Sequence, residues 1–261
     1  MTDKILTEQT GEIAKIIFNQ PEKRNAVSLE MWEAVEAALI RFRDDPSVRI
    51  LILSGAGGKA FVSGADISKF ESERASEEGV AHYNATTKRV YDMMEAFPKP
   101  TIAQIDGFCI GGGVALALCC DLRICGEGSN FAVPAAKLGL GYGFPGIKRL
   151  VDVVGPSFAK EIFFTARRFT AEEARIMGLV NRVVPDAEVA QAAEETAAMI
   201  AANAPMTVAS VKYIVGQTVT PESARDLAEC DARVKACFDS QDYIEGRRAF
   251  MEKRKPNFVG A

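Results

Sequence analysis

The stretch from Thr101 to Asp121 constrains the fold most strongly, because it changes character twice over a short distance. Thr101–Ile105 is β-branched and apolar, which predicts a short buried strand. Asp106-Gly107 breaks that strand, and Gly111-Gly-Gly113 precedes an apolar, small-residue segment at Val114–Cys119. The pattern therefore predicts a strand, a glycine turn and a buried helix in direct succession.

Glycines at the start of a helix leave backbone N–H groups that a ligand oxygen can approach without meeting a Cβ atom. The positive end of the helix dipole adds to the attraction. Such donors stabilise a developing oxyanion, and the loss of one typically costs about 2.7–4 kcal/mol of barrier lowering. The same glycines can instead serve only close packing of helix on strand, and the motif taken alone leaves both interpretations open.

A second stretch, Lys59–Ile67, favours the oxyanion interpretation. It follows the strongly apolar segment Ile50–Leu53, which predicts a strand, and it ends in Gly64-Ala-Asp66, which predicts a tight turn into a helix. Two strand-to-helix turns, each presenting a backbone N–H, can converge on one carbonyl oxygen.

Composition narrows the class of protein. The chain has 261 residues and a net charge of -4, so neither a nucleic acid nor an anionic membrane is an expected partner. The N-terminus lacks signal-peptide character and no apolar run reaches the roughly 18 residues of a membrane span, which predicts a cytoplasmic protein. Six cysteines without a C-x-x-C pair favour reduced thiols. With His82 as the only histidine, we expect no metal site.

The order of predicted elements indicates an α/β fold. Strands at Ile5–Thr7 and Ile13–Phe18 precede a helix that begins after the N-cap Ser28 and runs to about Arg43. From Pro145 onward the chain is predicted to be mostly helical. A shift to Ala, Glu, Asp and Arg near Ala204 places a domain boundary there, with a core at 1–203 and a helical module at 204–261.

Five motifs, spread in order over nearly the whole chain, resemble the crotonase (enoyl-CoA hydratase/isomerase) superfamily. They are Asn19–Ala26, Phe61–Ile67, Gly107–Gly113, Cys120–Ile124 and Phe250–Phe258. The resemblance implies a crotonase/ClpP-like spiral of ββα units with a C-terminal helical oligomerisation module, assembled as a homotrimer or a dimer of trimers. It also implies an acyl-CoA thioester as partner and no cofactor beyond the CoA of the substrate.

The resemblance further implies which residues hold that thioester. The peptide N–H groups of Ala65 and Gly112 would bind its carbonyl oxygen, and Lys253 would reach the CoA of a neighbouring subunit. The other implied substrate or CoA contacts are Lys23, Arg24, Ala26, Ser63, Asp66, Ile67, Gly111, Pro134, Ala135 and Leu140.

The chain departs from the hydratase pattern at the catalytic acids. Hydratases of this superfamily carry two glutamates at the positions that Ala115 and Ala135 occupy here, and alanine carries no proton. The segments Ala135–Leu150 and Phe250–Gly260 resemble the methylmalonyl-CoA decarboxylase branch, which implies that Tyr142 orients the substrate. That branch has histidine at the Ala65 position.

We therefore expect an acyl-CoA lyase that decarboxylates a short malonyl-type thioester through an enolate. One alternative is a hydratase or isomerase with a substitute acid, for which Glu71, Glu73, Asp66 and His82 are candidates. Another is an acyl-CoA-binding protein without catalysis, in which Tyr142 only packs under the acyl chain.

Overall fold

The computed structural model describes residues 2–69 and 75–261 and begins with an antiparallel strand pair. Strand β1 (Ile5–Thr10) pairs with β2 (Ile13–Phe18), and Ile5 lies opposite Phe18. Helix α1 (Leu29–Asp44) follows with Ser28 at its N-cap as predicted, although the Ser28 side chain makes no capping hydrogen bond.

The later strands divide between two sheets. Their bounds are β3 Ile50–Gly55, β4 Ala60–Val62, β5 Thr101–Ile105, β6 Phe108–Ile110, β7 Leu122–Gly126, β8 Asn130–Ala132, β9 Phe169–Thr170 and β10 Arg182–Val184. Within the described residues one sheet has the order β1-β2-β3-β5-β7-β10 and the other β4-β6-β8-β9. The pairs β3–β4, β5–β6 and β7–β8 each send their first strand to the larger sheet and their second to the smaller one. This repeat confirms the predicted α/β fold.

Helices fill the intervals between strand pairs and form the C-terminal part. They are α2 Glu77–Glu95, α3 Gly112–Leu118, α4 Phe144–Thr165, α5 Ala171–Ile176, α6 Val189–Ala201, α7 Pro205–Val219, α8 Leu227–Asp239 and α9 Gln241–Glu252. The sequence Thr170-Ala-Glu-Glu173 predicts a capping box at the start of α5, and the structure confirms it. The Thr170 hydroxyl accepts from the Glu173 N–H, and the Glu173 carboxylate accepts from the Thr170 N–H.

Several predicted bounds were wrong by a few residues. Helix α3 begins at Gly112, before the predicted start at Val114, and the short strand β6 was read as part of a turn. The apolar stretch Leu179–Val184 predicts a strand, of which only Arg182–Val184 forms β10. Helix α8 begins at Leu227 because a separate 3-10 turn at Glu222–Ala224 follows Pro221.

The larger sheet is covered on both faces, which explains why β3 is apolar at nearly every position. Leu51 and Leu53 belong to the main core cluster, together with residues of α1. Ile50 and Ile52 point the other way and pack against Ala193 of α6 and its neighbours. Successive side chains of β3 thus point to opposite faces of the sheet and pack in two separate apolar layers.

The C-terminal helices leave large apolar side chains in solvent. Phe250 is 83% and Met251 80% exposed, and both line a cavity of about 920 Å³ together with Val211 and Phe238. Exposed apolar surface of this kind marks contact sites. The division at residues 203 and 204 falls between α6 and α7, and both that boundary and the trimeric assembly remain predictions.

Within the described residues no single helix has the length and apolar character needed to cross a membrane. One bent pair, Asp186–Ala201 with Pro205–Val219, passes by length and composition at an angle of 106°.

Asn25 ties the first motif to the turn between β3 and β4. Its side-chain oxygen accepts from the Gln20 N–H at 2.9 Å, and its amide nitrogen donates to the carbonyls of Ala56 at 3.0 Å and Ala60 at 2.7 Å. Asn25 is fully buried and has a φ of 56°, a left-handed conformation that asparagine tolerates better than most residues. The loop before α1 depends on this one side chain.

We expect Asn25→Ala to lower the free energy of unfolding by roughly 2–4 kcal/mol, because it leaves three backbone groups without partners. Urea denaturation measures the change. Asn84→Ala, on the exposed face of α2, is the control and should change stability by less than about 0.5 kcal/mol. Equal effects of the two substitutions would contradict the role of Asn25.

Candidate functional site

The turn after β4 directs one backbone amide away from the rest of the fold. Val27 forms a parallel bridge with Ala65, in which the Val27 N–H donates to the Gly64 carbonyl at 2.8 Å and the Asp66 N–H donates to the Val27 carbonyl at 2.9 Å. In a parallel bridge of this kind the middle residue directs its own N–H away from the partner strand. Among the described residues, no acceptor takes the Ala65 N–H.

The second amide belongs to Gly112, the first residue of α3. The first N–H groups of a helix have no acceptor within the helix. Gly111 precedes it with a φ of 56° and a ψ of −112°, and the Gly111 N–H is used by the Ala132 carbonyl at 2.8 Å. The chain thus enters α3 through a turn that leaves the Gly112 N–H to an outside acceptor.

These two turns are in contact. A Cβ atom built on Gly112 would lie 3.7 Å from the Gly64 Cα, and one built on Gly64 would lie 3.8 Å from the Gly112 nitrogen. Because the Ala65 nitrogen is bonded to the Gly64 carbonyl carbon, the amides of Ala65 and Gly112 occupy neighbouring positions. The structure brings together the two residues that the sequence analysis paired.

The three consecutive glycines have different roles. A Cβ on Gly113 would lie 2.0 Å from the Val62 carbonyl oxygen, so glycine is needed there for α3 to pack on β4. Gly111 takes the positive φ of the turn, and Gly112 carries the amide that faces outward. The packing interpretation of the motif therefore applies to Gly113, and it leaves Gly112 available for binding.

Asp66 lies at the base of the first turn and is 4% exposed. Burial alone would raise the pKa of its carboxyl group, but hydrogen bonds from Ser68, Lys23 and Gln20 outweigh burial and lower the pKa to about 2. The Lys23 ammonium donates to Asp66 at 2.9 Å and to the Ser68 hydroxyl at 2.8 Å. Lys23, predicted as a CoA ligand, is thus already engaged by the protein.

A cavity of about 360 Å³ lies beside Ser63 and carries positive charge. The Arg24 guanidinium lies 4.8 Å and the Arg168 guanidinium 5.2 Å from the centre of the Phe108 ring. Lys137 and the predicted ligand Pro134 also line this cavity. Arg168 and Lys137 were not identified from the sequence, because only the fold brings β9 and the Pro134–Leu138 turn next to Arg24.

The remaining predicted contacts lie around these features at different depths. Ala26 and Ala135 are buried, whereas Ile67, Leu140 and Lys253 are exposed. Lys253 forms the left-handed cap of α9 and is not among the residues that line the cavity beside Ser63.

Tyr142 precedes α4 and packs edge-on against Phe163, with ring centres 5.0 Å apart. Burial raises the pKa of its hydroxyl. No residue in the described part of the chain forms a hydrogen bond with this hydroxyl, although it interacts electrostatically with Tyr91. Its position agrees with packing under the acyl group as well as with the predicted orienting role.

Sequence analysis missed Tyr91, which lies directly at the site. Its hydroxyl donates to the Gly112 carbonyl at 3.3 Å. Tyr91 is half-buried and packs against the core cluster that includes Tyr83 and Val90 of the same helix. Tyr83 and Tyr91 lie about two helical turns apart along one side of α2. An aromatic stripe of this kind is typical of a helix that packs on a core, so the pattern gave no separate indication of function.

Among the substitute acids considered above, Glu71 and Glu73 lie outside the described residues. Asp66 is fully engaged and has a lowered pKa, so it is a poor proton donor. His82 lies on the exposed face of α2 and pairs with Glu33 at 3.2 Å.

The comparisons with known proteins agree with this arrangement. The sequence profile described as enoyl-CoA hydratase/isomerase matches residues 8–261. The chain therefore belongs to the enoyl-CoA hydratase/isomerase family.

Individual relatives cover almost the full length. A crotonyl-CoA hydratase of Syntrophomonas wolfei is 36% identical over 258 residues, which are 98% of each chain. A carnitinyl-CoA dehydratase of Salmonella arizonae is 35% identical and matches 100% of both chains. The crystal structure of an enoyl-CoA hydratase/carnithine racemase from Magnetospirillum magneticum superposes with a TM-score of 0.92 at 36% identity, covering 100% of this chain and 97% of that one.

The lowered pKa of Asp66 predicts how the free energy of unfolding depends on pH in the acidic range. Since its folded pKa of about 2 lies below the ordinary value of about 3.9, the carboxylate stabilises the fold above pH ~4, and this contribution is lost as the pH falls toward 2. Asp66→Asn should remove up to about 2.5 kcal/mol at neutral pH. The difference from wild type should shrink between about pH 4 and pH 2, as measured by urea unfolding at each pH.

Asp231→Asn, on the exposed face of α8, is the matched control. A wild-type stability that stays as far above that of Asp66→Asn at pH 2 as at pH 7 would contradict the ion-pair account.

Proposed function

We propose that this protein is an acyl-CoA lyase that adds water to a short-chain enoyl-CoA thioester. The observation that supports it is the contact between the Gly64-Ala65 turn and Gly112, which presents two free amides side by side. A thioester oxygen that accepts from both would be held as the substrate binds.

The chemistry follows from that oxygen. When water adds to the β carbon of the enoyl group, the electron pair of the double bond moves toward the thioester carbonyl and forms an enolate. Two N–H donors fixed in place stabilise the negative oxygen more than the neutral one, and each donor of this kind is worth about 2.7–4 kcal/mol. Because both donors belong to backbone amides held by the fold, they need little reorganisation during the reaction.

The CoA phosphates would bind at the cationic cavity beside Ser63. Arg24, Arg168 and Lys137 all line it, whereas the chain as a whole is acidic. Arginine suits phosphate because its planar guanidinium can donate two parallel hydrogen bonds. Lys23 would act indirectly, by holding Asp66 and with it the turn that carries Ala65.

The relatives support hydration over decarboxylation. The proteins most similar to this chain include a crotonyl-CoA hydratase, a short-chain-enoyl-CoA hydratase and carnitinyl-CoA dehydratases, whose names describe the addition or removal of water. Decarboxylation is the second candidate function, because Ala115 and Ala135 occupy the positions at which hydratases of the family carry their two catalytic glutamates.

Assays with crotonyl-CoA and methylmalonyl-CoA distinguish the two candidates. We expect loss of the enoyl absorbance with the first substrate and no release of carbon dioxide from the second. Decarboxylation without hydration would favour the second candidate. Tight binding of both thioesters without turnover would instead favour an acyl-CoA-binding protein without catalysis.

Gly112→Pro tests the oxyanion role, because proline is tolerated at the first position of a helix and replaces the N–H in question with a ring CH2 group. We expect kcat to fall by about 100-fold or more. Gly112→Ala retains the amide, and its methyl group would lie 3.5 Å from the Tyr91 hydroxyl, an ordinary contact distance. Equal activity of the two variants would contradict the proposed role of the Gly112 N–H.

A further inference from the structure

The proposed reaction requires a group that moves a proton, and neither family acid position supplies one. Ala115 lies in α3 and its carbonyl accepts a hydrogen bond from the Cys119 thiol at 3.3 Å. Ala135 is buried in the apolar core. A proton carrier must therefore come from another side chain close to Gly112.

Tyr91 is the side chain that comes nearest. Its hydroxyl oxygen is the closest heavy atom to the point at which a Cβ on Gly112 would lie, at 3.5 Å. The same hydroxyl donates to the Gly112 carbonyl at 3.3 Å, which is long for an O–H···O hydrogen bond. Its hydrogen can therefore turn to a better acceptor without the loss of a strong bond.

The surroundings of Tyr91 fix the ring in place. The Trp32 ring meets it edge-on with centres 5.5 Å apart, and the Arg149 guanidinium lies 5.7 Å from its ring centre. Arg149 belongs to α4 and forms an ion pair with Glu95, the last residue of α2. This ion pair anchors the guanidinium to the helix that carries Tyr91. A hydroxyl on a clamped ring can be aimed at one place.

The protonation state of the Tyr91 hydroxyl is that required of a proton donor. Burial raises the pKa of the Tyr91 hydroxyl well above its ordinary value, with smaller contributions from Cys119, Tyr142 and Tyr83 that act in the same direction. The hydroxyl therefore stays protonated at neutral pH. A neutral donor also avoids repelling the negative charge that forms on the thioester.

We propose that Tyr91 is the catalytic residue that carries the proton in this chain, in place of the two missing carboxylates. This inference rests on the proposed hydration at Ala65 and Gly112. As water forms its C–O bond at the β carbon, the enolate α carbon takes the hydrogen of Tyr91, forming a C–H bond while the O–H bond breaks. The tyrosinate then takes the proton that the added water releases. Tyr91 ends the turnover as it began, and one water molecule has been added across the double bond.

Tyr142 is the other phenol near the site, but its observed contacts differ. It packs on Phe163, and its ring lies 3.5 Å from the Cβ position of Gly146, both within α4. Tyr91 alone of the two donates to Gly112 in the described structure. The geometry thus assigns the proton to Tyr91 and leaves Tyr142 as a wall of the acyl site.

Tyr91→Phe in the full-length protein tests the inference and removes a single oxygen. We expect kcat for crotonyl-CoA hydration to fall by about 100-fold or more, with little change in KM or in the Kd for a saturated acyl-CoA. Tyr83→Phe is the matched control. It lies on the same helix as Tyr91, and its hydroxyl accepts from the Trp32 indole N–H at 3.3 Å. It should keep kcat near the wild-type value even if its Tm falls.

The possible outcomes distinguish failure of the proposed Tyr91 role from failure of the proposed hydration. A Tyr91→Phe variant with wild-type kcat would overturn the role of Tyr91 while hydration stands. Loss of acyl-CoA binding or of a cooperative unfolding transition in Tyr91→Phe alone would show a structural role and would also overturn the proton assignment. A wild-type protein that binds no acyl-CoA and hydrates no enoyl-CoA would contradict the proposed function itself.

Discussion

The bridge between Val27 and Ala65 is the constraint on which the site depends. Two backbone hydrogen bonds, one on each side of Ala65, hold the turn and direct the Ala65 amide outward. The chain reaches this bridge from the loop before α1, which Asn25 fastens to the turn between β3 and β4. Asp66 and Lys23 secure the other end of the turn. Residues on both sides of this turn thus determine where one donor points.

The second donor depends on close packing. Gly113 lets α3 approach β4 until the Val62 carbonyl touches it, and that approach also brings Gly112 against Gly64. A larger residue at 113 would push α3 outward and separate the two amides. The site is therefore a consequence of how two strand-to-helix connections pack, and both of its donors are backbone amides.

Charge is distributed unevenly around these amides. The cations Arg24, Arg168 and Lys137 surround the cavity beside Ser63, where the phosphates of a CoA group would lie. The Tyr91 hydroxyl contacts Gly112 and interacts with Tyr142 and Cys119, and burial raises the pKa values of all three groups. In the proposed reaction the cationic cavity would bind the anionic CoA group, while the Tyr91 hydroxyl beside Gly112 stays neutral.

Sequence patterns predicted the parts of this structure that are local. Strand β5 has the predicted bounds, and the pattern predicted two strand-to-helix turns that can converge. The resemblance to the crotonase superfamily then implied Ala65 and Gly112 as their donors. Tyr91 was missed because its helical spacing equals that of a core stripe. Arg168 and Lys137 could not be found, since only the tertiary fold places them beside Arg24. The resemblance implied Lys23 as a CoA contact, whereas its ion pair with Asp66, which is distant in the sequence, was not predicted.

The infrared spectrum of the thioester carbonyl in bound crotonyl-CoA, identified by a ¹³C label at that carbon, tests the central claim most directly. If the Ala65 and Gly112 amides both donate to the oxygen, the C=O stretch should move to lower frequency on binding than in water, and Gly112→Pro should reverse most of that shift. A carbonyl band that stays at its aqueous frequency in the wild-type complex would contradict the account.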